Sequence, residues 1–401
     1  MKYVRRLTPV QYYDVAGAES WLADMARRGL HLKKFRPLYC TFEQGEPREV
    51  RYRLEPHHRR LDDDLPQRML ELYEEFGWEY VDETNRSILI FRTADPSAPE
   101  PHSDPELQAK GWQRLYKSAR SSFVSNIILL LLLAAFCGYL LLGTGLPVYA
   151  FLTTSLPLLL LMEVWLLCHM FSDFRDVSTL SALVRALKAG VPMEHRGIYP
   201  RKRPWAAAGF LVSAALLVLL VVGNYIYPLT GGGMKNLGEF DAFPLLSLAE
   251  LEGEGFRPDS FVAGGVDYAN FFRRERSVLC PAQWEVIQSG DGPSSGLWVR
   301  LEIHRYDPLL PFLSPPLARE LLDDAMKLDE DIWWTAPEGE EATWTVTEYP
   351  GLGLDYLAVA RREDSAFQAA AAAGNGRALV VQYTGRGDLS DHLEEIAGML
   401  E

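Results

Sequence analysis

The residues whose spacing comes closest to chemistry are Gly292-Pro293-Ser294-Ser295-Gly296, which satisfy the G-x-S-x-G pattern of a nucleophile elbow. An elbow needs a strand before the serine and a helix after it, so that the hydroxyl stands exposed at a sharp turn. Here Ser289-Gly290-Asp291 precede the motif and an alternating strand from Leu297 follows it, so the sequence predicts a hairpin loop and no catalysis at Ser294. His57 and His58 are adjacent and cannot face one helix side together, and neither H-E-x-x-H nor C-x-x-C occurs. The acidic group Asp329, Glu330, Asp331, Glu338, Glu340 and Glu341 lacks the alternating ligands and central glycine of a calcium loop, and reads as a solvated surface. No phosphate-cradling glycine loop is present. The sequence therefore predicts no catalytic residue, no metal ligand set and no bound cofactor.

Glu163 is different because it stands inside a long apolar run. Placing an ionisable group at depth in a bilayer costs about 2–4 kcal/mol, which the surrounding leucines, at about −0.5 kcal/mol each, offset. It could serve a proton or substrate pathway, a polar contact between helices or subunits, or sit protonated near lipid headgroups. No second carboxylate or base lies in the other apolar runs to form a relay, so the sequence favours a contact.

The elements that must position these residues are three apolar segments, Phe123 to Leu142, Pro147 to Phe171 and Trp205 to Tyr227. At about 1.5 Å rise per residue each can cross a hydrocarbon core of about 30 Å, and three membrane-spanning helices are expected at 123–142, 147–171 and 205–227. Basic residues flank one side: Lys110, Arg114, Lys117 and Arg120 before the first span, and Arg175, Arg185, Lys188, Arg196, Arg201, Lys202 and Arg203 in the loop 172–204. By the positive-inside rule the amino terminus and that loop are cytoplasmic, and everything after Tyr227 is outside a plasma membrane. Trp112, Tyr116 and Trp205 would mark the inner edges, and Tyr149, Tyr225 and Tyr227 the outer ones.

Of 401 residues, 40 are Lys or Arg and 54 Asp or Glu, a net charge of −14. Residues 1–122 hold 20 basic and 20 acidic residues, and those from Pro228 onward hold 13 and 30, so the acidity belongs to the carboxy-terminal part. Such a surface repels nucleic acid and anionic lipid, which excludes a nucleic-acid partner for that half. Cys280 is the single cysteine there, so no internal disulfide is expected. Met1 to Asp14 has no apolar h-region, and the first span is expected to act as an uncleaved insertion signal.

The expected fold class is α+β soluble domains at both ends of a three-helix transmembrane region. The first domain occupies 1–93. Asp14 caps a helix reaching about Arg28 with Val15, Ala18, Leu22, Met25 and Ala26 inward and Glu19, Asp24 and Arg27 off that face, and Gly29 stops it. Leu38, Cys40 and Phe42 then alternate, Gly45-Glu46-Pro47 turn, and Val50, Tyr52 and Leu54 alternate again, which reads as a hairpin. A second helix is expected over Leu65 to Phe76 with Leu65, Met69, Leu72 and Phe76 on its apolar face, then strands near Trp78 to Val81 and Ser87 to Phe91.

Residues 94–122 are expected to comprise an extended linker, Thr93 to Pro105, and a juxtamembrane helix whose face of Trp112, Leu115, Tyr116, Ala119 and Phe123 either lies on lipid or simply extends the first span. A short amphipathic helix is expected at Val177 to Leu187. The outer domain, 229–401, begins at the flexible Gly231 to Gly233. It should contain strands at 297–303, 343–349, 354–360 and 378–383, a helix opening at Ser314-Pro315, and a closing helix with Leu389, Leu393, Ile396, Ala397 and Leu400.

The run Glu19-Ser-Trp21-Leu22-Ala-Asp-Met25-Ala26-Arg-Arg-Gly29, followed by Phe42 to Arg53 and by Phe76-Gly77-Trp78-Glu79-Tyr80, resembles a bacterial family of membrane proteins labelled only as domain of unknown function 2812. The resemblance covers about the first hundred residues. It implies a soluble amino-terminal domain ahead of membrane helices, usually in Gram-positive bacteria and sometimes encoded beside PadR-like regulators, and it implies no activity. Trp21, Gly29 and Trp78 read first as a core tryptophan, a helix stop and a strand anchor. The expectation is thus a non-enzymatic multi-pass protein, with the lipid bilayer and unidentified proteins as partners, that couples an outer sensing or binding domain to an inner interaction domain. The alternative is an accessory or assembly subunit of a transporter.

Overall fold

The computed structural model describes residues 2–10, 13–36, 39–57, 67–84, 87–100, 104–199, 212, 214–219, 221–293, 298–331, 343–363 and 365–401. The chain forms two compact units, Met1–Leu132 with Glu163–Ala215, and Leu133–Met162 with Leu216–Glu401.

The amino-terminal unit begins with β1 (Tyr3–Leu7) and α1 (Val15–Arg27), followed by β2 (Leu30–Lys34), β3 (Tyr39–Gln44), β4 (Arg51–Pro56), α2 (Gln67–Glu75), β5 (Glu79–Thr84) and β6 (Ile88–Thr93). The Asp14 carboxylate accepts the Gly17 N–H at 3.0 Å, as a helix cap should. Gly29, at φ +75°, ends the helix where a Cβ would meet the Gly45 carbonyl at 2.6 Å. The inward face of α1 is buried as its spacing predicts. Each such Leu or Trp contributes about 1.5–3 kcal/mol.

The expected hairpin is not formed. β3 is the middle strand of a sheet ordered β1-β3-β2, and β4 belongs to a second sheet ordered β4-β6-β5. Both edges of β3 are taken, by β1 and β2, so β4 has no free edge to pair with. Position Leu38 lies outside the described residues. In α2 the buried residue is Tyr73, stacked on Phe91 at 4.1 Å, while Leu72 and Phe76 of the expected face are exposed. Leu65 lies outside the described residues.

The apolar middle gives α3 (Pro105–Gly138, continued by a π turn to Gly143), α4 (Pro147–Thr153) and α5 (Leu156–Lys188). Two helices, Pro105–Gly143 and Leu156–Lys188, are long and apolar enough to cross a membrane. Of the third expected span, Trp205 to Tyr227, residues 205–211, 213 and 220 lie outside the described residues. Its residues 214–219 are helical and Val222–Ile226 form a π turn.

The second expected span does not run unbroken from Pro147. Thr154 is extended (φ −101°, ψ −176°), and the hydroxyls of Thr153 and Thr154 donate to the carbonyls of Tyr149 and Ala150 at 2.8 and 2.6 Å. Pro157, which has no N–H to continue a ladder, opens α5 just afterwards. The short helix expected at Val177 to Leu187 is the tail of α5.

The head of α3 and the tail of α5 are part of the amino-terminal core. Ala109, Trp112 and Leu115 pack with Leu180, Val184 and Leu187 in one cluster with the buried face of α1. α3 runs without a break from Pro105 into the first span, as a plain extension would, and the face expected at lipid is instead turned to protein: Trp112 and Leu115 are buried and Tyr116 and Ala119 half-buried. Deeper along these helices the Asn126 amide donates to the Asp173 carboxylate at 2.9 Å. The expected linker is also docked: Trp78 Nε1 donates to the Pro99 carbonyl at 2.8 Å, and Arg51 to the carbonyls of Asp95 and Ala98.

The carboxy-terminal unit contains β7 (Gly232–Asn236), α6 (Leu248–Glu252), β8 (Arg257–Pro258), β9 (Val262–Ala263), β10 (Val266–Asp267), β11 (Phe271–Glu275), β12 (Ala282–Asp291), β13 (Trp298–Asp307), α7 (Ser314–Asp331), β14 (Trp344–Glu348), β15 (Tyr356–Arg362), β16 (Phe367–Gly374), β17 (Arg377–Thr384) and α8 (Leu393–Gly398). One antiparallel sheet runs β14-β15-β16-β17-β13-β12-β11-β7, with β8 beside β12. All four expected strands are present, as β13, β14, β15 and β17. The closing helix is shorter than expected, with Leu389–Asp391 forming a 3-10 turn before α8.

β16 was not legible. Its run Ala369 to Ala373 has high helix propensity, yet all five residues are buried on two faces: Ala369, Ala371 and Ala373 under α7, and Ala370 and Ala372 in the cluster with Ile396, Met399 and Leu400. Only small side chains fit between two layers so close to a central strand.

α4 is held inside this unit. Leu152 is fully buried in the cluster around Leu317, Ala318 and Leu321 of α7. Tyr149 meets Tyr306 edge-on at 5.8 Å, and Ser277 donates its hydroxyl to the Leu152 carbonyl. The Glu320 carboxylate accepts the N–H groups of Val148 and Tyr149, each at 2.8 Å, which neutralises the positive end of α4. Glu320→Ala leaves two donors without a partner, and a loss of about 1–3 kcal/mol in the local stability of α4 is expected. Hydrogen exchange of the Val148–Thr153 amides would read it; unchanged protection would show that the apolar contacts alone hold the helix.

Candidate functional site: a buried ionic hub on the first helix

A connected set of ionisable side chains lies where α1, β4, the segment after β6 and the segment after α5 meet. Glu19, placed off the apolar face by its spacing, is buried, with its side chain 2% exposed. One carboxylate oxygen accepts the Leu54 N–H at 2.9 Å. The other faces Arg53 Nη1 at 3.3 Å and His195 Nδ1 at 2.8 Å. Arg53 in turn donates Nε to Glu100 at 2.6 Å and pairs with it through Nη2 at 2.5 Å. Both Arg51 and Arg53 lie over the Trp78 ring, at 5.2 and 5.4 Å from its centroid, so the indole is a floor for two guanidinium groups as well as a core residue.

Burial pushes the Glu19 carboxyl up, and the hydrogen bond and charge of His195, the Arg53 guanidinium and the Leu54 N–H pull it back without restoring the ordinary value. For Glu100 burial acts in the same upward direction, but the Arg53 hydrogen bond and charge hold the carboxyl below the usual range. Glu55, two residues along β4 from Arg53, is pushed up to about 8 by burial and by the Glu19 charge. The arrangement can therefore hold a proton at neutral pH and clamp chain segments to α1. It presents no activated nucleophile.

The residues singled out by sequence are dispersed. Trp21 packs edge-on to Phe42 at 5.6 Å, Gly29 caps α1, and Trp78 floors the hub. Glu163 is half-buried on α5 and, among the described residues, forms no hydrogen bond or ion pair that ties it to another element. With α5 starting at Leu156, Glu163 sits about 10 Å along the helix from that end at 1.5 Å per residue, closer to the middle of the apolar stretch than a span from Pro147 would place it. The serines of the G-x-S-x-G run lie outside the described residues. The strands before and after it pair antiparallel, with Asp291 opposite Trp298. The side chains of Asp329, Glu330 and Asp331, the residues Glu338, Glu340 and Glu341, and His58 also lie outside the described set. His57 donates its main-chain N–H to Ser87 at 2.7 Å. Among the described residues no three His, Cys, Asp or Glu side chains converge as a metal site.

Glu19, Arg53, Glu55, Glu100 and His195 were not foreseen as a group. The available signal was Arg53 and Glu55 two apart on a strand whose other face, Tyr52 and Leu54, is core: a charged pair on one face of a short strand needs buried partners if both faces are covered.

Neither the curated proteins nor the solved structures contain a match to this chain. Residues 14–124, which run from the cap of α1 through both sheets into α3, match the family described as "Protein of unknown function (DUF2812)".

Proposed function

We propose that this chain is a non-enzymatic integral membrane protein of the plasma membrane that couples an extracytoplasmic sensing or binding domain to a cytoplasmic interaction domain. The observation that carries this reading is that one pair of helices is anchored in two separate cores. The connection between α3 and α5 contributes Leu152 to the carboxy-terminal core, and their other ends contribute Trp112, Leu115, Leu180, Val184 and Leu187 to the amino-terminal core. α5 has 33 residues, about 50 Å of continuous helix at 1.5 Å per residue, so a shift imposed on its Leu156 end has a stiff path to its tail in the amino-terminal core. The basic residues before the first apolar segment and in the loop 172–204 between the second and third, and the acidity beyond Pro228, support an amino terminus inside and a carboxy terminus outside.

Labelling tests the sidedness. With an impermeant maleimide on intact cells, Asp291→Cys should react and Gln44→Cys should react only after lysis; both positions are exposed. The reverse pattern would end the proposal. Glu163 supports a second reading, an accessory or assembly subunit whose spans meet a larger partner through that carboxyl. Recovery of a channel or ATPase in mild detergent would favour this second reading, and recovery of a cytoplasmic regulator the first.

A further inference from the structure

The segment after α5 has no regular secondary structure from Val191 to Tyr199, yet its exposure alternates: Met193, His195, Gly197 and Tyr199 are half-buried and Glu194, Arg196 and Ile198 are exposed, Ile198 at 99%. It is an extended strap with every second residue turned towards the amino-terminal unit. The inward residues meet α1 in chain order. His195 Nδ1 faces Glu19 at 2.8 Å, the Gly197 N–H donates to Ser20 Oγ at 2.9 Å, and the Tyr199 hydroxyl donates to Asp24. Met193 and Tyr199 pack on the edge of the core. Gly197 fills a notch made by Ala16 and Gly17, where an added Cβ would lie 2.7 Å from the Gly17 nitrogen and 2.8 Å from the Ala16 carbonyl carbon. Gly17 is itself confined, since a Cβ there would meet the Asp14 carboxylate at 2.4 Å.

We propose that the surface of α1 formed by Ala16, Gly17, Glu19, Ser20 and Asp24 is a docking groove for an extended peptide, and that residues 193–199 are its built-in occupant. The partner it fits is a protein segment with an imidazole or ammonium group, a glycine two residues on and a tyrosine two further on, because those are the groups the groove already holds. Charges of both signs line the groove: Glu19 and Glu100 stand with Arg53 at the His195 end, and Asp24 with Arg27 and Arg28 at the Tyr199 end. Built-in occupancy is favoured by tethering: α5 ends at Lys188, just before the strap, which sets a high local concentration that a free peptide cannot match. The strap's hold on α1 consists of side-chain-dependent bonds with no strand ladder, so a shift of the α5 tail can release it. The groove stands whether or not the two helices transmit a signal.

A labelled peptide of residues 191–199 added to the full chain in nanodiscs tests this. Gly197→Val ejects the strap from its notch, and the peptide should then bind at least about tenfold more tightly than to the unaltered chain; a peptide carrying the same valine should not bind. His195→Ala combined with Tyr199→Phe loosens the strap without adding bulk and should give an intermediate gain, which decides the matter if the valine variant does not fold. Equal binding to altered and unaltered chains, or none to any of them, would overturn the proposal.

Discussion

Glu19→Ala is expected to cost the amino-terminal unit about 3–5 kcal/mol, the largest single loss among its polar residues, because it leaves a buried cation with half of its compensation. Arg53 would keep Glu100 but lose the carboxylate on its other side, and the Leu54 N–H would lose its acceptor inside the core. Glu19→Gln retains an oxygen for Leu54 and removes only the charge, so its loss should be smaller. Replacing both partners, Glu19→Leu with Arg53→Met, should recover the part of the deficit due to the unpaired charge, because an apolar pair of similar volume carries no desolvation cost and Glu100 keeps Arg51 at 3.2 Å, while the Leu54 N–H still lacks its acceptor. Hydrogen exchange of the α1 amides in the full chain would report the local stability. Equal losses for alanine and glutamine would mean that the charge carries the whole effect and that the oxygen bonded to Leu54 is immaterial; no loss for glutamine would mean the reverse.

How much of this was legible depends on the range of the determining contact. The cap at Asp14, the inward face of α1, the stop at Gly29 and the strand around Leu301 are all set within a few residues, and the sequence predicts each of them. The partner of β3 is set by a competition between β1, which lies more than thirty residues away in the chain, and β4, which is closer and loses. Alternation fixes a strand's faces but says nothing of its edges. The lipid-surface alternative for the Trp112 face and the placement of α4 within a span fail for a related reason. Apolar side chains next to a membrane span satisfy lipid and a protein core equally well, so hydropathy cannot choose between them. Glu19 was placed off the apolar face because a carboxylate is normally solvated; its burial depends on Arg53, Glu100 and His195, which no local pattern joins to it.

Glu55→Gln is expected to stabilise the amino-terminal unit, by an amount that depends on pH in a defined direction. The folded-state value of about 8 lies above the 4.5 of a free glutamate, so folding favours the protonated form. That contribution is fully present below about pH 4.5 and is lost as pH rises towards 8. Glutamine mimics the neutral carboxyl and does not titrate, so the difference between variant and unaltered chain should be near zero in acid. It should then grow by at most about 1.4 kcal/mol per pH unit, reach on the order of 3 kcal/mol at pH 7, and level off above pH 8. Thermal or denaturant melts of both chains between pH 5 and 9 would trace the curve. A gain that does not vary with pH, or a loss at pH 7, would place Glu55 in its charged form within the fold. The hub itself argues for the neutral form. Glu19 and the exposed Glu100 already stand against Arg53 and His195, and a second buried carboxylate would have no cation of its own to offset its desolvation.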